Sequence, residues 1–273
     1  MPRRRRPPRG SPGGRPASQA PGELKGRLSL ARALSKFGVC SRKEAARWIE
    51  AGRVRVEGEV VRWPARRIDP RHDRVTVDGA PVGDFTDRFV LALHKPVDYI
   101  TTRTDPTGRP TVYALLGDVG RWVFPVGRLD RDTSGLLILT NDHRLGQRLT
   151  VPEAHVTKTY HVRVRGVPDA ATLAALREGV PLPDGTLTRP ARVRPLGAAR
   201  GGATWIEIIL TEGKNRQVRR MCATVGHDVE ALVRVAVGEL ALGGLALGEW
   251  RRLGAEEIAR LTRTARRDDH EAR

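Results

Sequence analysis

The sequence predicts an α+β protein with two folded units, a small ααβ-type module over residues 26–80 and a larger domain over residues 89–255. In the module, two helical patterns precede short strands of alternating polarity. In the domain, short strands and helices follow one another without a regular βαβ repeat, an order typical of α+β folds. A chain of 273 residues is long enough for both units.

The two helices of the module are indicated by their start and stop residues. Apolar residues at helical spacing lie between Ser29, a good N-cap residue, and Gly38, which is typical of a helix end. Ser41 and Glu44 have the spacing of a capping box and begin a second helix that ends before Gly52. Alternating valines predict strands within residues 54–61 and 75–77.

The larger domain is predicted to mix strands with helices. Its strands are short apolar runs, and its helices follow polar cap residues or end at glycine. The predicted strands span residues 90–94, 136–140, 159–165 and 204–210, with a hairpin loop over residues 197–202. The predicted helices span residues 141–149 after a Thr140 cap, 170–178 and 215–225.

The chain carries a large excess of positive charge. It has 49 Lys and Arg residues against 31 Asp and Glu residues, a formal net charge of +18 and a pI near 11.2. Such a balance indicates a polyanionic partner such as nucleic acid. Residues 1–25 are predicted to be a disordered basic tail, residues 81–88 a linker, and residues 256–273 a C-terminal helix and charged tail.

Cysteine content and hydropathy favour a cytoplasmic protein. Cys40 and Cys222 are the only cysteines of the sequence, too few for a disulfide framework or a cysteine-based zinc site. No apolar run has the length of a signal-peptide core or a membrane span. We therefore expect neither export nor a membrane partner.

The most informative segment is the polar loop of residues 127–135, which leads directly into an apolar strand. A carboxylate here, Asp130 or Asp132, lies at the edge of a core, where a scaffold can aim it. The alternative is an ordinary turn whose acids bond to their own backbone. A calcium loop is excluded because its twelfth position would be Asn141, and an aspartic-protease pair because the sequence holds no second copy of the loop.

Two further segments carry candidate side chains. Residues 212–221 combine Lys214, Arg216, Arg219 and Arg220 with one acid. Such a cluster at a helix start attracts phosphate, and an arginine can also clamp a carboxylate; the alternative is a solvated basic face. On a predicted strand, Lys158 and Tyr160 share one face.

In this order, the segments GRLDRDTSGLLILTND, KTY and EGKNRQVRRM resemble the catalytic motifs of ribosomal RNA pseudouridine synthases of the RsuA/RluB branch. The segment that begins at Lys95 is similar to that family's first motif, the segment around Trp250 to its ending, and residues 27–79 to its S-four RNA-binding module. The resemblance implies a catalytic domain with a mixed, mainly antiparallel sheet and a central active-site cleft. His94 departs from the usual Asn or Tyr, which leaves the subfamily and the target open.

The resemblance also implies roles for individual residues. Asp130 matches the nucleophile, Tyr160 the tyrosine that stacks on the target uracil, and Arg219 the arginine that pairs with the nucleophile, while Arg216 and Arg220 are expected elsewhere around the helix. The residues expected to support the active-site loop are Arg128, Leu129, Thr133, Ser134, Gly135 and Lys95. Those expected to bind RNA are Arg42, Lys43, Arg47 and Arg53 in the module and Lys214, Arg216 and Arg220 in the domain.

These observations predict site-specific isomerisation of uridine to pseudouridine in ribosomal RNA, with the large subunit favoured, by base flipping. The reaction gains no atom and releases no electrons, so no cofactor and no metal are expected. The expected partner is ribosomal RNA or a ribosome assembly intermediate, and the expected state is a monomer. Whether Asp130 attacks C1′ or removes a ribose proton stays open. The alternatives are a non-catalytic RNA-binding or ribosome-assembly factor and, less favoured, an RNA methyltransferase.

Overall fold

The computed structural model describes residues 27–36, 38–70, 72–82, 88–197 and 201–267, with side chains as far as residue 263. The predicted basic tail, most of the predicted linker and the last six residues lie outside these ranges. None of the helices in the described ranges has the length and apolar character that crossing a membrane requires.

The N-terminal module folds as two helices and short antiparallel strands, as its pattern predicts. The Ser41 hydroxyl accepts a hydrogen bond from the Glu44 amide at 3.1 Å, which confirms the predicted start of the second helix. The elements are β1 (Leu28–Ser29), α1 (Leu30–Lys36), α2 (Arg42–Glu50), β2 (Val54–Val56), β3 (Glu59–Val60), β4 (Arg67–Ile68), β5 (Val75–Val77) and β6 (Ala80–Pro81). Four strands pair in the order β3-β2-β5-β6, and β1 pairs with β4.

The core of the module orients its two helices. Leu30 and Leu34 of α1 and Ala45 and Ile49 of α2 are buried against the strand valines. Burying one leucine or isoleucine side chain stabilises a fold by about 1.5–3 kcal/mol, so this face of each helix is fixed. The opposite faces of the two helices carry exposed cations.

The larger domain contains every strand predicted for it and several more. Two short 3-10 helices, Val112–Leu115 and Pro152–Ala154, join its regular elements. These elements are β7 (Val90–Lys95), β8 (Phe124–Pro125), β9 (Ser134–Thr140), α3 (His143–Thr150), β10 (Lys158–Arg165), α4 (Ala170–Glu178), β11 (Arg192–Pro195), β12 (Ala203–Leu210), α5 (Gln217–Thr224), β13 (Val229–Val237), β14 (Leu240–Ala241), β15 (Trp250–Arg252) and α6 (Ala255–Arg267).

The strands of the larger domain form one sheet. Its main path runs β11-β12-β10-β13-β9-β7-β15, with β14 beside β13 and β8 beside β9. Neighbouring strands are antiparallel except β9 and β13, which are parallel. The expected mixed, mainly antiparallel sheet is therefore confirmed. The register places Gly135, Arg234 and Tyr160 side by side on β9, β13 and β10, so the loop before β9 reaches the strand that carries the tyrosine.

Two predicted helix starts are wrong. α3 is capped by Asp142, whose carboxylate accepts hydrogen bonds from the amides of Arg144 and Leu145 at 2.8 and 3.1 Å. Thr140 is instead the last residue of β9, and its hydroxyl donates a hydrogen bond to the Phe89 carbonyl at 3.0 Å. α5 begins at Gln217 rather than at residue 215.

The two units contact each other where α1 ends. The Gly38 carbonyl accepts a hydrogen bond from the Trp122 amide at 3.2 Å. Gly38 has φ +69, and a Cβ atom there would lie 2.7 Å from Cβ of Asn141, so both its conformation and its surroundings require glycine.

Candidate active site

The loop of residues 127–135, here called the Asp130 loop, is anchored by a buried lysine. Lys95 is 0% exposed, and its Nζ donates hydrogen bonds of 2.8 Å to the carbonyl oxygens of Thr133 and Pro96. Burial lowers the pKa of Lys95 to about 8. The ammonium group therefore links the Thr133 carbonyl of the loop to the Pro96 carbonyl from inside the domain.

Gly135 lets the loop join the sheet. It has φ +110, and a Cβ atom on it would overlap the Arg234 carbonyl oxygen and lie 2.5 Å from the Arg234 amide nitrogen. Only glycine permits this close approach of β9 to β13. The Ser134 hydroxyl contacts the Leu232 carbonyl at 3.5 Å, at the same junction.

The other residues expected to support the loop differ in their burial and in their hydrogen bonds. Leu129 is buried, and the Thr101 hydroxyl donates to its carbonyl at 2.8 Å. Arg128 is exposed at the edge of the site. Thr133 is buried, and its hydroxyl has no hydrogen-bond partner among the described residues.

A cavity of about 410 Å³ opens beside the loop and is here called the Asp130 pocket. Its volume lies within the range typical of small-molecule sites. Apolar and polar side chains line it in similar proportion, a composition suited to a planar base attached to a polar sugar. Asp130 and Tyr160 both line it, together with Lys158, Leu210, Arg216, Val218, Leu232 and Arg234.

The two carboxylates of the loop differ in their contacts. Arg216 donates two hydrogen bonds to the Asp132 carboxylate at 2.7 and 3.0 Å. Arg219 Nε lies 3.1 Å from the same carboxylate. Asp130 accepts no side-chain hydrogen bond from any described residue, and its nearest cation is Arg216, 4.0 Å away. One acid is therefore held by two guanidiniums, while the other is available at the pocket.

The expected pairing of Arg219 with Asp130 is not formed. Arg219 contacts Asp132 instead, through the carboxylate and through a 2.7 Å hydrogen bond from Nη2 to the backbone carbonyl. Nη1 donates to the Val229 carbonyl at 3.0 Å, and the side chain is only 15% exposed. This guanidinium therefore joins the backbone of the loop to that of β13, and it forms no ion pair with Asp130.

The other cations expected to bind RNA near this site are engaged within the domain. Lys214 donates to the Leu187 carbonyl at 2.7 Å and lies 3.2 Å from Glu212. Arg220 pairs with Asp184 at 2.6 Å. Arg216 adopts a left-handed backbone conformation before α5 and shares Asp132 with Arg219, so its expected separation from Arg219 is wrong. A sequence pattern cannot show which cations already form ion pairs within the protein.

The expected RNA-binding cations of the module are less engaged. Arg42, Lys43 and Arg47 are exposed on α2 and form no ion pair with a described residue. Arg53 differs, because it pairs with Asp78 and its guanidinium lies 4.8 Å from the ring centre of Trp48.

One pocket residue, Arg234, was missed by the sequence analysis, and Lys158 was placed on the face of Tyr160 without a role. Arg234 is 5% exposed, lines the pocket and donates from Nε to the Leu136 carbonyl at 2.8 Å. Burial and the charge of Arg234 lower the pKa of Lys158 to about 8. The available signal was a single arginine in the apolar, alternating segment of residues 229–237, which was not predicted as a strand.

Known proteins share this architecture. The family model described as RNA pseudouridylate synthase matches residues 89–224, and the S4 domain model matches residues 29–75. An uncharacterized RNA pseudouridine synthase of Aquifex aeolicus is 42% identical over 229 residues, which are 84% of this chain and 91% of that protein. The ribosomal large subunit pseudouridine synthase B of Bacillus subtilis is 36% identical over 233 residues, 85% of this chain and 94% of that protein. A pseudouridylate synthase crystal structure has a TM-score of 0.62 at 28% identity, covering 86% of this chain and 99% of its own.

Proposed function

Because the chain belongs to the RNA pseudouridylate synthase family, we propose that it isomerises uridine to pseudouridine in large-subunit ribosomal RNA with Asp130 as the nucleophile. The choice of RNA is supported by the Bacillus subtilis relative, whose name specifies the large ribosomal subunit. The S4 domain match and the net charge of +18 support an RNA substrate.

One observation carries the choice of nucleophile. Asp130 faces the pocket with a carboxylate free of hydrogen bonds from described side chains, whereas Asp132 is occupied by Arg216 and Arg219. A nucleophile or base must have an accessible lone pair, so the pocket offers Asp130 for this task. Arg216, 4.0 Å from Asp130, places positive charge beside the reacting carboxylate.

The reaction needs one carboxylate and a pocket that lets the base turn. The N1–C1′ bond breaks, the C5–C1′ bond forms, N1 gains a proton and C5 loses one, so atoms and electrons balance without a co-reactant. Asp130 serves either as the attacking group at C1′ or as the base that removes a ribose proton. Both routes use the Asp130 carboxylate.

Substrate entry requires the target nucleotide to leave its helix or loop stack. The cost is a few kcal/mol, offset by stacking in the pocket and by phosphate contacts outside it. Tyr160 packs against a buried apolar cluster and lines the pocket, which suits it to stack on uracil. Arg219 and Lys95 donate to the neighbouring backbone carbonyls of Asp132 and Thr133 and act as positioning residues.

The remaining parts of the chain fit a division of labour. We assign residues 26–80 to RNA affinity and residues 89–255 to chemistry, joined by residues 81–88 and flanked by the basic tail and the C-terminal helix. The enzyme is proposed to act as a cytoplasmic monomer on ribosomal RNA or an assembly intermediate, without metal or cofactor. Pseudouridine formation in the presence of excess chelator tests the last point.

The decisive experiment compares the two carboxylates. Asp130→Asn is expected to bind large-subunit rRNA normally and to form no detectable pseudouridine. Asp132→Asn removes the same charge from the same loop, and is expected to keep measurable turnover because it leaves the nucleophile in place. Pseudouridine is quantified in rRNA fragments under single-turnover conditions. Activity of Asp130→Asn within tenfold of wild type would refute the assignment.

A further inference from the structure

A second cavity of about 370 Å³ lies between the N-terminal module and the larger domain. Arg32 and Lys36 of α1 line one side, and Arg144 and Gln147 of α3 line the other. We call this cavity the interdomain groove. Val126, Gly127 and Thr150 line both the groove and the Asp130 pocket, so the two cavities adjoin.

The cations of the groove have no counterion among the described residues. Its lining residues include no acid, and Arg32, Lys36 and Arg144 form no ion pair with any residue in the described ranges. The three cations line the same cavity. Burial and then the charges of Arg32 and Arg144 lower the pKa of Lys36. Like charges gathered at a contact between two units oppose that contact unless an anion joins them.

The adjoining Asp130 pocket indicates which anion the groove would bind. A nucleotide flipped into the Asp130 pocket remains covalently joined to a phosphate on each side, so its strand must continue past the pocket's rim. Val126, Gly127 and Thr150 line both cavities, so the groove is the surface next to the pocket that the strand can follow. Phosphate oxygens are the ligands that clustered Arg and Lys side chains bind.

We propose that the interdomain groove binds the phosphates of the RNA strand next to the target uridine, through Arg32, Lys36 and Arg144. The proposal rests on the proposed function, because it takes the Asp130 pocket as the uridine site. In this arrangement α1 contributes more than general affinity. Together with α3 it contacts one RNA strand, and these contacts align the flipped nucleotide with Asp130.

The first experiment measures the charge contribution of the groove. Arg32→Gln, Lys36→Gln and Arg144→Gln, singly and together, are compared with Arg67→Gln and Arg148→Gln, which remove exposed cations that form no ion pair with a described residue. Binding of large-subunit rRNA fragments is measured at several salt concentrations. Each groove substitution should reduce the salt slope by about 0.7–0.9 and affinity about fivefold, and the triple variant affinity about 100-fold. The two control variants should each change affinity by no more than about threefold, as expected for one exposed cation outside the groove.

The second experiment locates the contact on the RNA. Methylphosphonate links, which carry no charge, replace single phosphates on either side of the uridine that wild type modifies, and a distant phosphate serves as the control position. Wild type should lose affinity and turnover at one or two adjacent positions. The triple variant should be insensitive there, because its partner groups are gone. Equal sensitivity of both proteins would overturn the proposal.

The outcomes separate this proposal from the function on which it rests. If wild type forms no pseudouridine in any rRNA, the proposed function fails, and the salt-dependent binding still reports on the groove. If the triple variant binds and modifies RNA as the control variants do, the groove proposal fails while the function stands. Removing mutually repelling cations should leave the urea midpoint unchanged or raised. Should the triple variant nevertheless misfold, the single groove variants replace it in the methylphosphonate scan, and sensitivity equal to that of wild type in all three would overturn the proposal.

Discussion

The cations around the Asp130 loop and those on the N-terminal module differ in what they contact. Arg216, Arg219 and Arg220 all pair with acids of the larger domain. Arg42, Lys43 and Arg47 on α2 are exposed and form no ion pair with a described residue. Both regions are basic in sequence, but these three arginines near the loop are paired within the domain, whereas the three cations on α2 are available to an incoming polyanion.

This difference separates two uses of positive charge. Near the active site, the guanidinium groups of Arg216 and Arg219 bind the carboxylate and the backbone carbonyl of Asp132. These contacts stabilise the loop that holds Asp130. On the module, unpaired cations contribute a salt-dependent attraction for phosphate. Substitutions in the first region should therefore change stability and turnover, and those in the second should change affinity and its salt dependence.

The largest effect is expected where the loop meets the sheet. Gly135→Ala would place a methyl group against the Arg234 backbone in a left-handed conformation, so we expect a loss of about 3 kcal/mol or more in the free energy of unfolding and of nearly all activity. Gly185→Ala is the matched control, since Gly185 has φ +79 with no atom near its Cβ position. Urea denaturation measures both. Equal destabilisation would mean that conformational strain alone, not the strand contact, makes glycine necessary.

The buried lysine should give the next largest effect. Lys95→Met keeps the apolar stem but leaves the Thr133 and Pro96 carbonyls without their donor, which should cost about 2–3 kcal/mol of stability. Lys43→Met, on the exposed face of α2, should change stability by less than about 0.5 kcal/mol. If Lys95→Met were as stable as wild type, the loop would not depend on this anchor.

A smaller effect on turnover should distinguish neighbouring arginines of α5. Arg219→Lys loses the fork that reaches the Asp132 and Val229 carbonyls together, so the saturated rate should fall about tenfold, equivalent to about 1.4 kcal/mol. Arg220→Lys retains a charge for the exposed Asp184 and should stay within threefold of wild type. Single-turnover rates at saturating RNA, together with Kd values, make the comparison. A loss of affinity at an unchanged saturated rate would place Arg219 among the RNA contacts.

Local signals predicted much of the fold and part of the site. The second module helix and the four strands expected in the larger domain form where alternating or capped patterns indicate them, because these signals act over a few residues. The Asp130 loop was found because polar residues directly precede an apolar strand. Its support by Lys95 followed only from the family resemblance, since nothing local shows that a lysine 35 residues earlier in the chain is buried beneath it.

What was missed depends on contacts distant in sequence. β13 was not predicted because Glu230 and Arg234 interrupt its apolar pattern, yet it pairs with β9 and β10 and brings Arg234 to the pocket. The partner of Arg219 was wrong because two acids, Asp130 and Asp132, lie two residues apart, and the sequence alone does not show which one faces the helix. Register and side-chain direction decide such pairs.

The smallest expected effect tests the module itself, by comparing two of its arginines. Arg47 is exposed and free of described ion pairs, whereas Arg53 is already bound to Asp78 and stacked near Trp48. RNA must compete with Asp78 for Arg53, so its contribution to binding is reduced by the pair it gives up. Arg47→Gln should weaken rRNA binding about threefold and lower the salt slope by about 0.7–0.9, and Arg53→Gln should change affinity by less than half as much.

Both variants should keep the wild-type rate at saturating RNA, because neither residue lines the Asp130 pocket. The Asp78→Asn variant sharpens the test, since it frees Arg53 without removing it and should tighten binding at low salt. If Arg53→Gln instead weakened binding more than Arg47→Gln, paired cations of the module would contribute to RNA affinity as fully as free ones. The contrast between the two regions would then lie in where the cations are placed, and not in whether they are paired.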